Sequence, residues 1–245
     1  MLKEKKKMKT IVHKAEDRGY ANHGWLQANH SFSFANFFNP EKVQFGALRV
    51  LNDDIIAPSM GFSTHPHDNM EIITIPLKGT LKHKDSMGNK WEMVEAGEVQ
   101  VMSAGSGVQH SEMNAKTDEY LNLFQIWIFP DKKNVNPRYD QKHFNAEDRQ
   151  SKLQTLVSSI DNDDEGLKIH QNAKLSRIDL PKDESFTYNL ISENHGVYIM
   201  TISGNFSVEN NQLESRDAIG VYDTKDFTLK TTEETQLLFI EVPMS

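Results

Sequence analysis

The stretch GFSTHPHDNMEI, residues 61–72, decides how the fold and the chemistry of this sequence are interpreted. His65 and His67 stand two residues apart, immediately before a predicted strand. In an extended chain, residues i and i+2 point to the same face, so both imidazoles can reach one ion. Pro66 between them has no N–H and points the other way, which suits the start or the edge of a strand. Alone, such a pair is a weak indication of a metal site.

A second pair lies downstream in MSAGSGVQHSEMN, residues 102–114, where His110 and Glu112 are again two apart in a predicted strand. If the two strands face each other across a barrel, the pairs together supply three imidazole nitrogens and one carboxylate oxygen. Four protein ligands leave up to two positions open on an octahedral ion, and catalytic metal sites keep such open positions. The two pairs together therefore predict one divalent metal site.

The chain contains no cysteine. This excludes disulfides, thiolate metal sites, iron–sulfur clusters and cysteine nucleophiles. A metal must then be held by imidazole and carboxylate groups, which suit iron, nickel, copper, manganese or zinc.

The formal net charge is −8, although the chain begins with the basic stretch MLKEKKKMKT. An acidic body repels phosphate backbones, so direct nucleic-acid binding is not expected. No run approaches the roughly 20 apolar residues of a membrane span, and no apolar stretch typical of a secretory signal follows the basic start. We therefore expect a cytoplasmic protein with a solvated, lysine-rich terminus, for which Met8 is an alternative start to Met1.

Short runs typical of β-strands recur between turn signals and predict an all-β sandwich or barrel. The strands expected from these runs are 70–77, 80–85, 98–102, 108–113 and 121–129. Helical periodicity is weak, and only a short helix around 146–158 is expected. The polar stretch 130–150 contains two prolines and is interpreted as the linker between two halves.

A faint internal repeat indicates two copies of one domain. The copies align with Gly79 on Gly204, and Gly97 then falls on Arg216 because the second copy has a shorter turn. This interpretation gives an N-terminal metal-binding domain over residues 1–135 and a C-terminal domain over residues 136–245.

Counting along the repeat shows what the second copy has in place of the four candidate ligands. The positions obtained are Leu190, Ser192, Leu229 and Thr231. None is a strong metal ligand, so the C-terminal domain is predicted to be metal-free and to shield the first domain or shape access to it.

Seven further histidines have no obvious ligand partner in the sequence and are interpreted as surface or hydrogen-bonded structural residues. They are His13, His23, His30, His83, His143, His170 and His195.

The motifs GFSTHPHDNMEI, DSMGN, MSAGSGVQHSEMN, QIWIFP and PRYDQ resemble the pirin family within the cupin superfamily, especially its bacterial members, and so does the upstream GWLQANHSFSFANFFNP. The resemblance covers about residues 17–145 and fades towards the C-terminus. One extra residue before Gly79, and Ser103 where a proline is usual, depart from the general cupin motifs. The resemblance implies an all-β bicupin fold, with two β-sandwich or jelly-roll (cupin) barrels and few short helices.

In pirins, the two histidines of the HPH motif and the His and Glu of the HSE motif hold the metal. The resemblance thus implies His65, His67, His110 and Glu112 as ligands here, with iron(II) expected and nickel, copper, manganese or zinc as alternatives. Glu71 is a ligand in general cupins, but Glu112 takes that role in pirins, so Glu71 is expected to orient other groups or to be structural.

The family includes quercetin 2,3-dioxygenases, which open the central ring of a flavonol with molecular oxygen and release carbon monoxide. The resemblance implies a small aromatic substrate together with O2. Because a metal with an open position lowers the pKa of a bound hydroxyl, Glu112 is expected to be the catalytic group that takes the proton of the flavonol hydroxyl. An apolar pocket is expected from Phe34, Phe62, Met102 or Trp127, although each also fits ordinary core packing.

Two alternatives stay open at this stage. The first is a non-catalytic, metal-binding regulator that acts through protein partners, which a basic surface would favour and the acidic charge does not. The second is a different cupin reaction on another small molecule, because a fold does not fix its chemistry.

Overall fold

A computed structural model describes residues 8–245, and almost all of its regular structure is β-strand. The first twelve strands are β1 (Lys9–His13), β2 (Gly19–Asn22), β3 (Leu26–His30), β4 (Leu48–Ile56), β5 (Gly61–His67), β6 (Glu71–Lys78), β7 (Thr80–Asp85), β8 (Glu92–Glu95), β9 (Glu98–Ser103), β10 (Val108–Asn114), β11 (Leu121–Ile128) and β12 (Arg138–His143). The strands that follow are β13 (Gln154–Ser159), β14 (Leu167–Ile169), β15 (Lys174–Leu180), β16 (Ser185–Asn189), β17 (His195–Ser203), β18 (Phe206–Val208), β19 (Asn211–Leu213), β20 (Ala218–Tyr222), β21 (Asp226–Thr231) and β22 (Thr235–Pro243). The all-β class is confirmed.

The described residues also form two short 3-10 helices, Ala15–Asp17 and Ala146–Arg149. Across residues 8–245, no helix has the length and apolar character needed to cross a membrane. Most of the lysine-rich start, and Met1 with it, lies outside the described residues.

Each half of the described chain is a sandwich of a seven-stranded sheet and a four-stranded sheet. In the first half the sheet orders are β12-β9-β6-β11-β4-β3-β2 and β5-β10-β7-β8. In the second half they are β1-β20-β17-β22-β15-β13-β14 and β16-β21-β18-β19. Apolar side chains from both sheets fill each sandwich, such as Ile56 with Leu81 in the first and Val197 with Leu229 in the second.

The two halves pack through their seven-stranded sheets. The largest apolar core contains Ile73, Val101 and Phe124 from the first half together with Met200 and Leu238 from the second. Strands of these sheets are therefore buried on both faces, as in β6, whose first six residues are all buried. Such strands have continuous apolar runs rather than alternation.

The strands of the smaller sheets alternate instead. In β10, Val108, His110, Glu112 and Asn114 are buried, and Gln109 between the first two is exposed. Because successive residues of a strand point to opposite faces, this alternation turns both candidate ligands of β10 into the interior of the first sandwich.

Two expectations about the middle of the chain are wrong. The helix expected at 146–158 is limited to the 3-10 turn Ala146–Arg149, and β13 then pairs with β15. The predicted linker 130–150 contains β12, which pairs along its full length with β9. Its polar, proline-containing composition resembles a linker because β12 is an edge strand in which every residue is at least partly exposed.

Pairing also crosses the proposed domain division between residues 135 and 136. Strand β1 lies at the edge of the second half, next to β20, and β12 lies at the edge of the first. Each half thus contains an edge strand from the other side of residues 135 and 136. The domain division at this point remains a proposal.

Candidate metal centre

Strands β5 and β10 are antiparallel neighbours and carry the two predicted ligand pairs. Val108 pairs with His67, and His110 pairs with His65. The i,i+2 spacing within each strand and this register bring three imidazoles to one place. The ring centroids are 4.9 Å apart for His65 and His67, 4.4 Å for His65 and His110, and 4.8 Å for His67 and His110. One nitrogen of each ring lies within 4.8 Å of the others.

Glu112 lies two residues after His110 on β10 and is outside the group formed by His65, His67 and His110. The β5–β10 register shifts between His110 and Glu112, so that Glu112 stands opposite Phe62. Its carboxylate accepts hydrogen bonds from Gln125 Nε2 at 3.0 Å and from Thr74 Oγ1 at 3.5 Å. Glu112 and His110 form a second group of potential ligands, whose third member is His83. The four predicted residues therefore lie around His110, in two overlapping groups.

His83 is a site residue that the sequence interpretation missed. It is buried on β7, where Nε2 lies 3.2 Å from Asp85 Oδ2 and Nδ1 lies 3.2 Å from Gln100 Nε2. Its ring stacks on Tyr139 with a centroid distance of 5.0 Å. If Gln100 donates to Nδ1 and Nε2–H donates to Asp85, both nitrogens are occupied by protein partners. The i,i+2 spacing of His83 and Asp85 was the signal available in the sequence.

The nitrogens of His110 distinguish it from the other buried histidines. His110 is 2% exposed, and neither Nδ1 nor Nε2 has a hydrogen-bond partner among the described residues. Burial, reinforced by repulsion from His65, lowers the pKa of His110 far below its ordinary value. Burial also lowers the pKa of His67, to about 4. Neutral imidazoles with free nitrogens are the form that binds a metal ion, so these residues fit one.

Hydrogen bonds also act on two other predicted ligands, His65 and Glu112. His65 Nδ1 lies 2.8 Å from the carbonyl oxygen of Ser63, and donation there leaves Nε2 as the coordinating nitrogen. Burial raises the pKa of Glu112 to about 7, although its hydrogen bonds from Thr74 and Gln125 oppose that rise. A carboxyl group in this range can gain or lose a proton near neutral pH.

Glu71 lies outside both groups of potential ligands. It is buried and accepts a hydrogen bond of 2.7 Å from Ser103 Oγ on the paired strand β9. Burial raises its pKa to about 7. This environment agrees with the expectation that Glu71 is structural or orienting.

A cavity of about 430 Å³ opens beside the imidazoles. Its walls include Phe34, Phe62 and Trp127, as expected, and also Trp25. The expectation is wrong for Met102, which is fully buried in a separate cluster with Ile72, Ala104 and Val108. Its apolar character predicted burial correctly but could not say on which side of the sheet it lies.

The same cavity has a polar side. It is lined by His30, Asn52, Asp54 and Gln125, and it reaches His65, His67 and Glu112. The Asp54 side chain is 4% exposed, and its Oδ1 has no hydrogen-bond partner among the described residues. Burial, with smaller contributions from Asp53 and Glu112, raises the pKa of Asp54 to about 8. The cavity thus combines flat aromatic walls with a few buried polar groups, as small-molecule sites do.

The second half shows what replaces the ligands there. Gly79 and Gly204 have matching backbone φ angles of 84° and 83°, and two residues later Leu81 pairs with Asn114 while Phe206 pairs with Thr231. Following the strands from this point gives the structural counterparts of the candidate ligands. Phe227 stands for His110, Leu229 for Glu112, Tyr188 for His65 and Leu190 for His67.

The counterparts obtained by counting along the sequence are thus two residues out of register. The difference arises because strand and turn lengths differ between the copies. Aliphatic and aromatic side chains still occupy the four places, and the absence of metal from this half stays a prediction.

Comparison with known proteins identifies relatives of both halves. Residues 11–128 match the family model Pirin, and residues 156–242 match that of the quercetinase C-terminal cupin domain. The chain is 43% identical over 232 residues to quercetin 2,3-dioxygenase of Escherichia coli strain K12, covering 95% of this chain and 98% of that one. A pirin-like protein of Caulobacter vibrioides is 41% identical over 223 residues, which is 91% of this chain and 95% of that one.

Solved structures with a similar fold also match nearly the whole chain. The bacterial pirin YhhW of Escherichia coli in complex with nickel(II) superimposes with a TM-score of 0.90 at 39% identity, covering 97% of this chain and 100% of that one. A quercetin 2,3-dioxygenase from Acinetobacter baumannii gives a TM-score of 0.72 at 16% identity, covering 96% and 79%, and supports the fold alone.

Proposed function

This chain belongs to the pirin family, and we propose that it is a metal-dependent dioxygenase that cleaves a flavonol such as quercetin with molecular oxygen. One observation carries the proposal. The buried His110 has two unpartnered nitrogens among the described residues and belongs both to the group with His65 and His67 and to the group with Glu112, beside an aromatic-walled cavity.

His65, His67, His110 and Glu112 would hold one divalent ion. Iron(II) is the metal we expect, and nickel(II) is supported by the complex of the Escherichia coli relative. When bound, such an ion would lower the pKa of a coordinated hydroxyl and stabilise its anion. The neutral state of His67 and His110 keeps their nitrogens available without competition from protons near neutral pH.

Glu112 is the proposed proton acceptor. In the metal-free protein burial raises its pKa to about 7, and the hydrogen bond from Gln125 fixes the carboxyl group in place. A bound ion would lower that pKa and keep Glu112 as the carboxylate, the form that can accept the proton of a flavonol hydroxyl.

The cavity would position the substrate and exclude water. Trp127 contacts the ring of His67 edge-on at 5.0 Å, and Phe34 packs edge-on against Trp127 at 5.4 Å. These rings give a flat ligand apolar surfaces next to the imidazoles. Asp54 also lines the cavity, and its Oδ1, which has no hydrogen-bond partner among the described residues, is available to a substrate hydroxyl.

The test is oxygen-dependent loss of a flavonol. Protein loaded with a divalent metal should bleach the near-ultraviolet to visible band of quercetin under air, with release of carbon monoxide, and not under nitrogen. Glu112→Gln should lower the rate by about 100-fold or more, the range typical of a lost acid–base group. Glu119→Gln, on the surface, should not. If the protein binds metal but does not bleach quercetin, the dioxygenase proposal fails. The alternatives are then a metal-binding regulator or a different cupin reaction.

A further inference from the structure

A second cavity lies between the two halves, away from the metal centre. Its volume is about 500 Å³, and its walls include Pro76 and Leu77 at the end of β6, Ile202 and Gln236 of the second half, and residues 143–147 together with Arg149. This size is in the range of small-molecule sites.

Two arginines of this cavity have more donors than the protein satisfies. Arg149 and Arg177 are 9% and 8% exposed. Each guanidinium carries five N–H donors. Within the described residues, Arg149 uses its Nε on Asp179 Oδ2 at 3.0 Å, and Arg177 uses Nη2 on Gln236 Oε1 at 3.3 Å. Arg177 Nε is buried and has no partner.

The positive charge of Arg177 is the less compensated of the two. No carboxylate among the described residues lies within 4.0 Å of it, whereas Arg149 has its ion pair with Asp179. Burial lowers the pKa of Arg177 to about 10; repulsion from Arg149 adds to this and attraction to Asp179 opposes it, so Arg177 remains a cation at neutral pH. A buried, unpaired charge is costly unless a partner satisfies it.

Two negative groups also belong to this region. Asp179 Oδ1 has no partner, and Glu147 lines the cavity from an exposed position. Two buried cations thus face one buried anion, and Glu147 lies where water screens it. The buried part of the cavity keeps an excess of positive charge and of N–H donors.

We propose that this cavity between the halves binds a small organic acid, whose carboxylate accepts hydrogen bonds from Arg177 and Arg149. A planar carboxylate matches the fork of a guanidinium, which can donate two parallel hydrogen bonds to it. The side chains of Leu77, Phe144 and Ile202 offer the hydrocarbon part of such an acid an apolar wall. This favours an organic acid over inorganic phosphate.

Benzoate, which has one carboxylate and an apolar body, is the probe. Calorimetric titration of the full-length, metal-loaded protein should show saturable binding at one site. Arg177→Gln should weaken binding about tenfold or more, as expected for a lost charge-assisted pair, and Arg177→Lys should weaken it less. Arg138→Gln removes a guanidinium that is paired with Asp140 outside the cavity and should leave binding unchanged.

His110→Ala separates this site from the metal centre, because a carboxylate could also coordinate the metal. Benzoate binding should persist in that variant, whether or not the chain cleaves flavonols. The proposal is overturned if benzoate shows no saturable binding, if Arg177→Gln and Arg177→Lys both bind as the wild type does, or if His110→Ala abolishes binding. Circular dichroism of each variant shows that it is folded, and Arg177→Lys provides the test if Arg177→Gln is not.

Discussion

His110 and His65 lie directly opposite each other on strands β10 and β5, with ring centroids 4.4 Å apart. Burial, with repulsion from His65, lowers the pKa of His110, so that its imidazole is neutral. One nitrogen of each of the two rings lies within 4.8 Å of the other. This pair links the strand register to the proposed metal site.

The two overlapping groups around His110 predict different effects of mutation. His65→Ala should weaken metal binding by more than the roughly 10–100-fold typical of lost outer hydrogen bonds. His83→Ala should weaken it less, because both of its nitrogens contact protein groups, Asp85 and Gln100. Competition with a chelator measures both affinities. A larger loss in His83→Ala would place the ion in the group formed by His83, His110 and Glu112.

The aromatic wall predicts an effect on substrate binding alone. Phe62 lines the cavity and packs edge-on against Trp25 at 5.2 Å. Phe62→Ala should weaken quercetin binding by about tenfold, since an aromatic contact contributes of the order of 1 kcal/mol beyond its buried area. Metal content should not change. The shift of the flavonol band on titration under nitrogen gives the affinity, and Phe38→Ala, which alters a highly exposed ring, is the control. Unchanged affinity in Phe62→Ala would mean that the flavonol binds elsewhere.

Asp54 predicts the pH dependence of stability in metal-free protein. Folding raises its pKa from 3.8 to about 8, so between these values the folded state binds more protons than the unfolded state. Its contribution to stability is full below about pH 4 and is lost as the pH rises through about 8.

Asp54→Asn removes the titrating carboxyl, and with it the loss of stability as the pH rises. Between about pH 5 and pH 8, the free energy of unfolding of the wild type should fall relative to the variant by about 1 kcal/mol or more. Urea unfolding at the two pH values measures this. Asp140→Asn changes a half-exposed carboxylate on β12. Its free energy of unfolding should change between the two pH values by as much as that of the wild type. If the free energy of unfolding of Asp54→Asn changes as much as that of the wild type, the Asp54 carboxyl is solvated in the folded state.

Much of the first half could be predicted from the sequence because its strand rules are local. The i,i+2 spacing in β5 and β10 placed His65, His67, His110 and Glu112 on inward faces, and turns at glycines separated the strands. The register shift between His110 and Glu112, which places Glu112 opposite Phe62, could not be foreseen because it involves the partner strand.

Other features depend on contacts that are distant in sequence. His83 lacks a histidine neighbour in the chain, and only the pairing of β7 with β10 brings it to Glu112. The stretch 146–158 has residues suited to a helix, but its second part belongs to β13, which pairs with the distant strand β15. The ligand counterparts in the second half were two residues out of register because differing strand and turn lengths are not visible in a pairwise count.

The most direct test of the proposed metal centre is the metal content of the purified protein. Elemental analysis should find about one equivalent of divalent metal per chain in the wild type, and His110→Ala should retain less than about a tenth of it, because a buried ligand shared by the whole site is lost. His23→Ala, which alters an exposed histidine, should keep the full equivalent. A folded His110→Ala protein that retains one equivalent would contradict the assignment of His65, His67, His110 and Glu112.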